Sequence, residues 1–396
     1  MKKITRRKID FNFRKMRIGL VLFGHLRSFR STHDSYKQFL KTLQQSGDVD
    51  VFCHTWDIEE SITPAWWKEN KTDEVPPATV SDEDIIAAYK PMTFCIEQSK
   101  KFDEPDFGFE NSTPMTGMLS MLYSQLKAFE LLKEYEQKNG MQYDVVVKTR
   151  YDLLYEIADE FTSLAGLSVQ KNCLYLPTSN PYELAGAYSD IFALGPRQLM
   201  EQYFTFNNNI KEAVAFYKNR GYRQLIPELC MSVYLESRQM PITETSGIRI
   251  QILRQGGEKF QINSDRNFEN NFPLCFYKRS IEKCTDILPA DSPVIKTNGS
   301  RLIKKYIGWI LKEAGPNCFN EYESFFWGEW IALTKISVLA AFGKQTKLLA
   351  KNVLRDFFEM AMRNASYSFY KKCQLAFALF RSSEYGLFYF RVMRHV

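Results

Sequence analysis

Short apolar runs that alternate with helical patterns are the feature that most restricts the fold of this chain. Residues 18–23 (IGLVLF) are continuously apolar and are closed by Gly24, which is typical of a strand buried on both faces. Because helical patterns separate such runs, the sequence predicts an α/β domain with a mostly parallel sheet flanked by helices. The other predicted strands cover residues 50–56, 93–98, 143–147, 173–177, 190–195 and 248–254.

The spacing of apolar residues predicts four helices in the same part of the chain. Ser31 or Thr32 is a suitable N-cap for the first helix, and Asn139-Gly140 is a suitable end for the second. The apolar stripe of the second helix is best explained by packing against the sheet. The predicted helices cover residues 31–45, 118–137, 196–218 and 227–238.

Charge and composition divide the chain into four segments. Residues 1–30 carry a net charge of +9 and residues 301–396 carry +8, against +6 for the whole chain and −11 for the residues between them. Basic ends favour an anionic partner such as a membrane surface, although a solvated charged surface also explains them. The predicted segments are a basic extension (1–16), an α/β domain (17–260), a connecting segment (261–300) and a basic, aromatic-rich helical region (301–396).

Aromatic and basic residues recur at helical spacing after residue 300. This pattern suits an interfacial helix on anionic lipid, and equally a helical domain packed on the core or a dimer interface. The basic start is not followed by the apolar region of a signal peptide, and no stretch of about 18 uncharged apolar residues occurs. The eight cysteines occur singly, without C-x-x-C, which argues against a zinc ribbon. We therefore expect a cytoplasmic protein, in peripheral contact with the inner face of a bacterial inner membrane if the basic helices bind lipid.

Polar residues follow three of the predicted strands, at the edge of a parallel sheet where ligands bind. Unpaired buried charge is costly, so charges at this edge favour an anionic or metallic partner. The guanidinium group of arginine suits phosphate oxygens, and a carboxylate can hold a divalent cation that bridges a diphosphate. The pattern predicts a nucleoside diphosphate site. The residues predicted to bind this ligand, called the donor-binding residues below, are Gly24, Arg27, His54, Thr55, Asp57, Lys148, Arg150 and Asp152.

Several of these residues also have a purely structural explanation. Arg27 is also explained as a surface arginine, His54 as a hydrogen-bonded rim histidine and Asp57 as a cap. Local ion pairs with Asp144 or Asp152 are an alternative explanation for Lys148 and Arg150. The motifs of dehydrogenases, P-loop enzymes, zinc proteases and α/β-hydrolases are absent from the sequence, and no nucleic-acid-binding motif accompanies its basic residues.

Five segments in a fixed order resemble a known family. GLVLFGHLRSF, DVFCHTWD, MLYSQLKAFELL, YDVVVKTRYDLLY and SDIFALG resemble bacterial surface-polysaccharide glycosyltransferases, similar to the WavE-like lipopolysaccharide-synthesis proteins and their capsule and O-antigen relatives. The resemblance covers about residues 17–260 and implies a GT-A-like fold that binds a nucleotide-sugar. In such folds a D-x-D motif carries the metal that holds the donor diphosphate, and here the stretch is Arg150-Tyr151-Asp152. The resemblance thus implies either a divalent cation (Mn or Mg) on Asp152, or Arg150 on a phosphate with Asp152 on a metal or a sugar hydroxyl.

The implied reaction moves a sugar from a nucleotide donor to a lipopolysaccharide, O-antigen or capsule acceptor, free or lipid-linked. Inversion at the sugar needs a base that deprotonates the acceptor hydroxyl. Asp190 is the first candidate and Glu228 the second, although both are also explained as caps. Two alternatives remain: a non-catalytic, membrane-associated scaffold with a degenerate donor site, and a sugar nucleotidyltransferase.

Overall fold

The computed structural model describes residues 15–60, 78–103, 105–109, 115–179, 182, 186–245, 247–254, 257, 259–261, 287, 288, 292 and 294. Most of the predicted basic extension, nearly all of the predicted connecting segment and the whole predicted helical region (301–396) lie outside these residues. Within the ranges given, no helix combines the length and the apolar character needed to cross a bilayer.

The chain divides into two compact units. The first comprises Met1–Ser179, Tyr188–Arg220 and Gln224–Phe268, and the second comprises Asn180–Ala187, Gly221–Arg223 and Glu269–Val396. All helices and strands named in this article belong to the first unit. In the second unit, the backbone N–H of Arg223 donates to the carbonyl of Ile287 at 3.1 Å.

The first unit contains a seven-stranded sheet and a smaller three-stranded sheet. The strands are β1 (Met16–Phe23), β2 (Gly47–Trp56), β3 (Thr93–Glu97), β4 (Val145–Arg150), β5 (Leu153–Ile157), β6 (Leu174–Leu176), β7 (Ala193–Pro196), β8 (Ile242–Glu244), β9 (Ile248–Leu253) and β10 (Lys259–Gln261). The large sheet has the order β3-β2-β1-β4-β7-β6-β8 and the small one β10-β9-β5. In the large sheet only β7 runs antiparallel to its neighbours, so the predicted mostly parallel sheet is confirmed.

Helices flank the large sheet. They are α1 (Phe29–Ser46), α2 (Asp82–Tyr89), α3 (Thr116–Asn139), α4 (Leu164–Lys171), α5 (Arg197–Phe204), α6 (Ile210–Asn219) and α7 (Pro227–Ser237). Phe39 and Leu43 of α1 belong to a buried apolar cluster with Leu20 of β1, Val147 of β4 and Ile250 of β9. Helix α1 therefore packs together with both sheets, while α3 covers β1 and β2.

Three features of the predicted elements are wrong in detail. Helix α1 begins at Phe29, because the carbonyl of Ser28 already accepts hydrogen bonds from the N–H groups of Ser31 and Thr32. The hydroxyl of Thr32 is used instead to donate to the carbonyl of Tyr151, at 2.7 Å. The single helix predicted over 196–218 is two helices, α5 and α6, separated by a 3-10 turn. Strands β5, β8 and β10 were not predicted.

The strand register places three strand ends side by side. Phe23, the last residue of β1, pairs with His54 of β2 on one side and with Arg150 of β4 on the other. All three strands run in the same direction, so their carboxyl ends lie along one edge of the sheet. Polar residues that follow these strands are therefore brought to a common edge, where open α/β sheets bind their ligands.

Candidate functional site

The loop after β1 brings Arg27 to this edge of the sheet. Gly24 begins the loop with a φ of +97°, a left-handed conformation that costs glycine little, and its N–H donates to Oγ of Ser124 at 2.8 Å. Arg27 also has a positive φ, +48°, which is uncommon for a residue with a Cβ atom. Its backbone N–H donates to the carbonyl of Glu59 at 2.7 Å. The backbone thus holds Arg27 in place, unlike an arginine on a loose surface loop.

Asp152 lies two residues beyond β4, and the side chains of three arginines surround its carboxylate. This carboxylate is fully buried and accepts hydrogen bonds from Nε and Nη2 of Arg150, at 2.9 and 2.6 Å. Nη1 of Arg27 donates to it at 3.0 Å, and Nη1 of Arg254 lies 3.5 Å away. Nε of Arg27 donates to Glu60 at 2.8 Å. We call these five residues the arginine cluster.

Arg254 is a member of this cluster that was not predicted from the sequence. It follows β9, and the N–H of Leu253 donates to the carbonyl of Asp152 at 2.9 Å. Oγ of Ser28 donates to the carbonyl of Leu253 at 2.5 Å, which joins the loop after β1 to the end of β9. One signal in the sequence could have identified Arg254: it lies at the end of a predicted strand, residues 248–254. Arg27 and Arg150 likewise lie at or near the ends of their own strands.

The arginine cluster carries more positive than negative charge. Burial alone would raise the pKa of Asp152, but the charges of the three arginines outweigh it and lower the pKa to about 2. The pKa of Arg254 is lowered to about 10, first by burial and then by the charges of Arg27 and Arg150. Three guanidinium groups thus face two carboxylates, those of Asp152 and Glu60. Partly buried guanidinium groups attract anions, and one guanidinium group can bind two phosphate oxygens at once.

The predicted cation site at Asp152 does not fit this arrangement. Both carboxylate oxygens of Asp152 accept hydrogen bonds from guanidinium groups, which are hydrogen-bond donors that cannot ligate a metal. A divalent cation at these oxygens would have to displace arginine side chains and then lie against their positive charge. The arginines themselves supply the positive charge that a cation would bring to a diphosphate.

The contacts that the structure describes for Lys148 lie outside the arginine cluster. Its side chain is fully buried, and among the described residues Nζ donates to the carbonyl of Asp190 and to the hydroxyl of Tyr203, the latter at 2.8 Å. Nζ also lies 4.9 Å from the ring centroid of Phe23. Burial, and to a lesser degree the charge of Arg150, lowers the pKa of Lys148 to about 7. The structure therefore groups Lys148 with Asp190, one of the two predicted bases.

The two predicted bases, Asp190 and Glu228, lie close enough to influence each other. Burial raises the pKa of Asp190, while the charges of Lys148 and Arg150 act in the opposite direction. Burial, followed by the charge of Asp190, raises the pKa of Glu228 to about 8. Glu228 lies in the first turn of α7, where the helix dipole stabilises a carboxylate. The pair resembles the arrangement in which neighbouring carboxyl groups push one pKa toward neutrality.

Replacing Glu228 with glutamine is expected to change how stability depends on pH. The folded protein keeps the proton of Glu228 up to about pH 8, whereas the unfolded chain releases it near its ordinary value of 4.5. The contribution of Glu228 to the free energy of unfolding is thus complete below pH 4.5 and is lost as the pH rises through 8. Relative to Glu228→Gln, wild type should lose stability over this range, by up to about 1.4 kcal/mol per pH unit. Urea unfolding at a series of pH values measures the difference.

The control for this experiment is Glu236→Gln on the same helix. Glu236 pairs with Arg220 at 2.9 Å, and its side chain is 63% exposed. Its removal should leave the pH dependence of unfolding parallel to that of wild type. A Glu228→Gln protein whose stability also runs parallel to wild type would show that Glu228 ionises normally in the folded chain.

The predicted residues at the end of β2 and directly after it do not join the arginine cluster. His54 is fully buried, and its Nδ1 lies 2.7 Å from Oγ of Ser124 on α3. Thr55 is also fully buried, and within the described ranges its hydroxyl has no hydrogen-bond partner. Oδ1 of Asp57 accepts a hydrogen bond from the N–H of Ser99 at 2.8 Å, a contact that joins two loops. Of the predicted donor-binding residues, the structure thus brings together Arg27, Arg150 and Asp152.

Comparison with known protein families gives no match, and comparison with curated protein sequences gives none either.

Proposed function

We propose that this protein is a glycosyltransferase of the GT-A-like class, which moves a sugar from a nucleotide-sugar to a bacterial surface-polysaccharide acceptor. The observation that carries the proposal is the arginine cluster. Three guanidinium groups meet at the carboxyl edge of a mostly parallel α/β sheet, around the buried carboxylate of Asp152. The resemblance to WavE-like glycosyltransferases supports the choice of a nucleotide-sugar as ligand.

The arginine cluster suits the leaving group of this reaction. When the bond between the anomeric carbon and the diphosphate breaks, negative charge grows on the diphosphate oxygens. Positive groups already fixed in place stabilise that charge without reorganising. The hydrogen bonds to Asp152 hold Arg27 and Arg150 in one geometry, while their side chains keep 17% and 14% of their surface exposed. Asp152 therefore acts in this proposal as the group that positions the arginines.

The Asp190–Glu228 pair suits the acceptor side of the same reaction. The acceptor hydroxyl oxygen attacks the anomeric carbon, and its proton passes to a carboxylate. A base is most effective when its pKa lies near the working pH, and the pKa of Glu228 is raised to about 8. Asp190, the first of the two predicted bases, contributes through its charge to the raised pKa of Glu228. We assign the proton transfer to this pair as a unit, because coupled carboxyl groups share their titration.

A panel of nucleotide-sugars tests the proposal directly. Uridine, guanosine and cytidine diphosphate sugars are added to the full-length protein, and its thermal midpoint is measured in manganese and in a chelator. One nucleotide class should raise the midpoint, because a ligand that binds only the folded state stabilises it. The rise should persist in the chelator, since arginines supply the positive charge. Absence of any saturable shift, together with absence of donor hydrolysis in either condition, would reject a nucleotide-sugar enzyme in favour of a scaffold.

A further inference from the structure

A second group of chemically active side chains lies on strands β2 and β3, away from the arginine cluster. His54 pairs in register with Cys95, and Glu97 follows two residues later on the same face of β3. One nitrogen, one sulfur and one carboxylate oxygen from these three residues all lie within 4.8 Å of one another. Among the described residues they form the one group of this composition. Nitrogen, sulfur and oxygen ligands in such proximity are the donor set of zinc sites.

The imidazole of His54 directs its Nε2 atom toward this group. Its side chain is fully buried, and within the described part of the chain Nε2 has no hydrogen-bond partner. The tautomer with a proton on Nδ1 donates to Oγ of Ser124, at 2.7 Å, and leaves the lone pair on Nε2. A buried nitrogen without a partner is costly, and a metal ion would satisfy it.

The distances suit a tetrahedral ion. Nε2 of His54 lies 3.4 Å from Oε1 of Glu97. Zinc bonds of about 2.0–2.1 Å to nitrogen and 2.0–2.2 Å to oxygen, at tetrahedral angles, place the two ligand atoms about 3.4 Å apart. The sulfur of Cys95 must approach by less than about 1.5 Å to reach its place at about 2.3 Å from the ion. A rotation of a partly exposed side chain supplies such a movement.

Neighbouring groups orient the ligands. The hydroxyl of Tyr123 donates to both carboxylate oxygens of Glu97, at 2.8 Å to Oε2 and 3.2 Å to Oε1. Nζ of Lys100 lies 3.4 Å from Oε2, which leaves Oε1 as the oxygen that faces the imidazole. Contacts of this kind, together with the bond from His54 to Ser124, are the outer-shell partners that fix metal ligands.

We propose that His54, Cys95 and Glu97 bind one zinc ion, with a water molecule as fourth ligand. Cys95 and Glu97 are partly exposed, so the fourth position is open to solvent. Binding converts the Cys95 thiol to a thiolate, and its proton is released to solvent. The site does not depend on the proposed glycosyltransferase function, and it stands without the arginine cluster.

Metal titration of the full-length protein tests the zinc site. The protein is stripped with a chelator and titrated with zinc against a chromogenic competitor, and then with cobalt as a spectroscopic substitute. Wild type should bind one more equivalent of zinc than Cys95→Ser. Its cobalt form should show a thiolate-to-cobalt charge-transfer band that Cys95→Ser lacks. Loss of an outer-shell partner costs about tenfold to a hundredfold in metal affinity, and Glu97 is a direct ligand in this proposal. Glu97→Gln should therefore weaken zinc binding by at least about a hundredfold. It should keep the charge-transfer band, because Cys95 is unchanged.

Two further variants make the result decisive. Glu130→Gln removes a carboxylate of α3 that pairs with Lys127 at 2.8 Å, and should leave zinc affinity and the cobalt spectrum unchanged. Ser124→Ala removes the partner of Nδ1 and should weaken zinc about tenfold to a hundredfold. Circular dichroism confirms that each variant is folded, and Glu97→Gln replaces Cys95→Ser as the main variant if the latter does not fold. Equal zinc stoichiometry, affinity and cobalt spectra in wild type and in the folded variants would overturn the proposal.

Discussion

Replacing Arg27 with glutamine is expected to weaken the binding of a nucleoside diphosphate about tenfold to a hundredfold. Hydrogen bonds to charged groups contribute about 1.5–3 kcal/mol, and 1.4 kcal/mol corresponds to a factor of ten in affinity. Asp152 keeps its two hydrogen bonds from Arg150 in this variant, so the fold should survive. Isothermal titration with the nucleoside diphosphate that gives the largest thermal shift measures the dissociation constant.

Arg30 provides the matched control for this substitution. It lies three residues farther along, in the first turn of α1, and its side chain is 60% exposed. It pairs with Glu59 and, at 3.1 Å, with Asp84, and does not contact Asp152 in the described structure. Arg30→Gln should leave diphosphate affinity unchanged at moderate salt. Equal losses in both variants would indicate a diffuse charge effect, and no loss in Arg27→Gln would remove the arginine cluster from the donor site.

The sequence predicted the edge of the sheet at which the arginine cluster lies, because apolar runs locate the strands, although β4 continues to Arg150, beyond its predicted end at residue 147. It placed Arg27, Arg150 and Asp152 correctly at neighbouring strand ends. It could not separate Lys148 from Arg150, although both follow the same apolar run. Only the three-dimensional structure shows that Lys148 binds elsewhere, because Nζ of Lys148 donates to the hydroxyl of Tyr203, a residue distant in the sequence.

The contribution of Arg254 depends on a pairing that local patterns do not show. After Asp152 the chain leaves the large sheet and forms β5, which pairs antiparallel with β9. That pairing aligns Leu153 with Ile252 and brings the end of β9 back to Asp152. The sequence predicts a strand over residues 143–147 and does not predict β5, which follows β4 after only two residues and lies in a different sheet. The third arginine of the cluster is therefore a consequence of topology.

The zinc ligands were also beyond prediction from spacing. Cys95 and Glu97 are two residues apart, but His54 is distant in the sequence and joins them through the pairing of β2 with β3. Known zinc motifs place ligands at short, recognisable intervals, and this chain has no C-x-x-C. His54 was predicted to contact a nucleotide, whereas the structure directs its side chain toward α3 and β3.

Replacing Asp152 with asparagine is expected to destabilise the protein by about 3 kcal/mol or more at pH 7. Removing one partner of a buried ion pair leaves the other charge uncompensated, and here three guanidinium groups lose one carboxylate. The contribution of Asp152 is complete above its ordinary pKa of 3.8 and is lost as the pH falls through its folded value of about 2. The difference between wild type and variant in urea unfolding should therefore shrink between about pH 4 and pH 2.

This experiment also separates two roles for Asp152. A carboxylate kept only to ligate a metal would contribute little to the stability of metal-free protein, and its removal would leave stability nearly unchanged. A carboxylate that anchors arginines must be stabilising without any metal, so the measurement is made in a chelator. Asp34→Asn is the control, because Asp34 is 93% exposed and pairs only with Lys37 among the described residues, at 3.3 Å. Its removal should change stability little. If Asp152→Asn proved as stable as Asp34→Asn in the chelator, Asp152 would not be the group that holds the arginine cluster. The result would then favour the alternative in which Asp152 binds a metal ion.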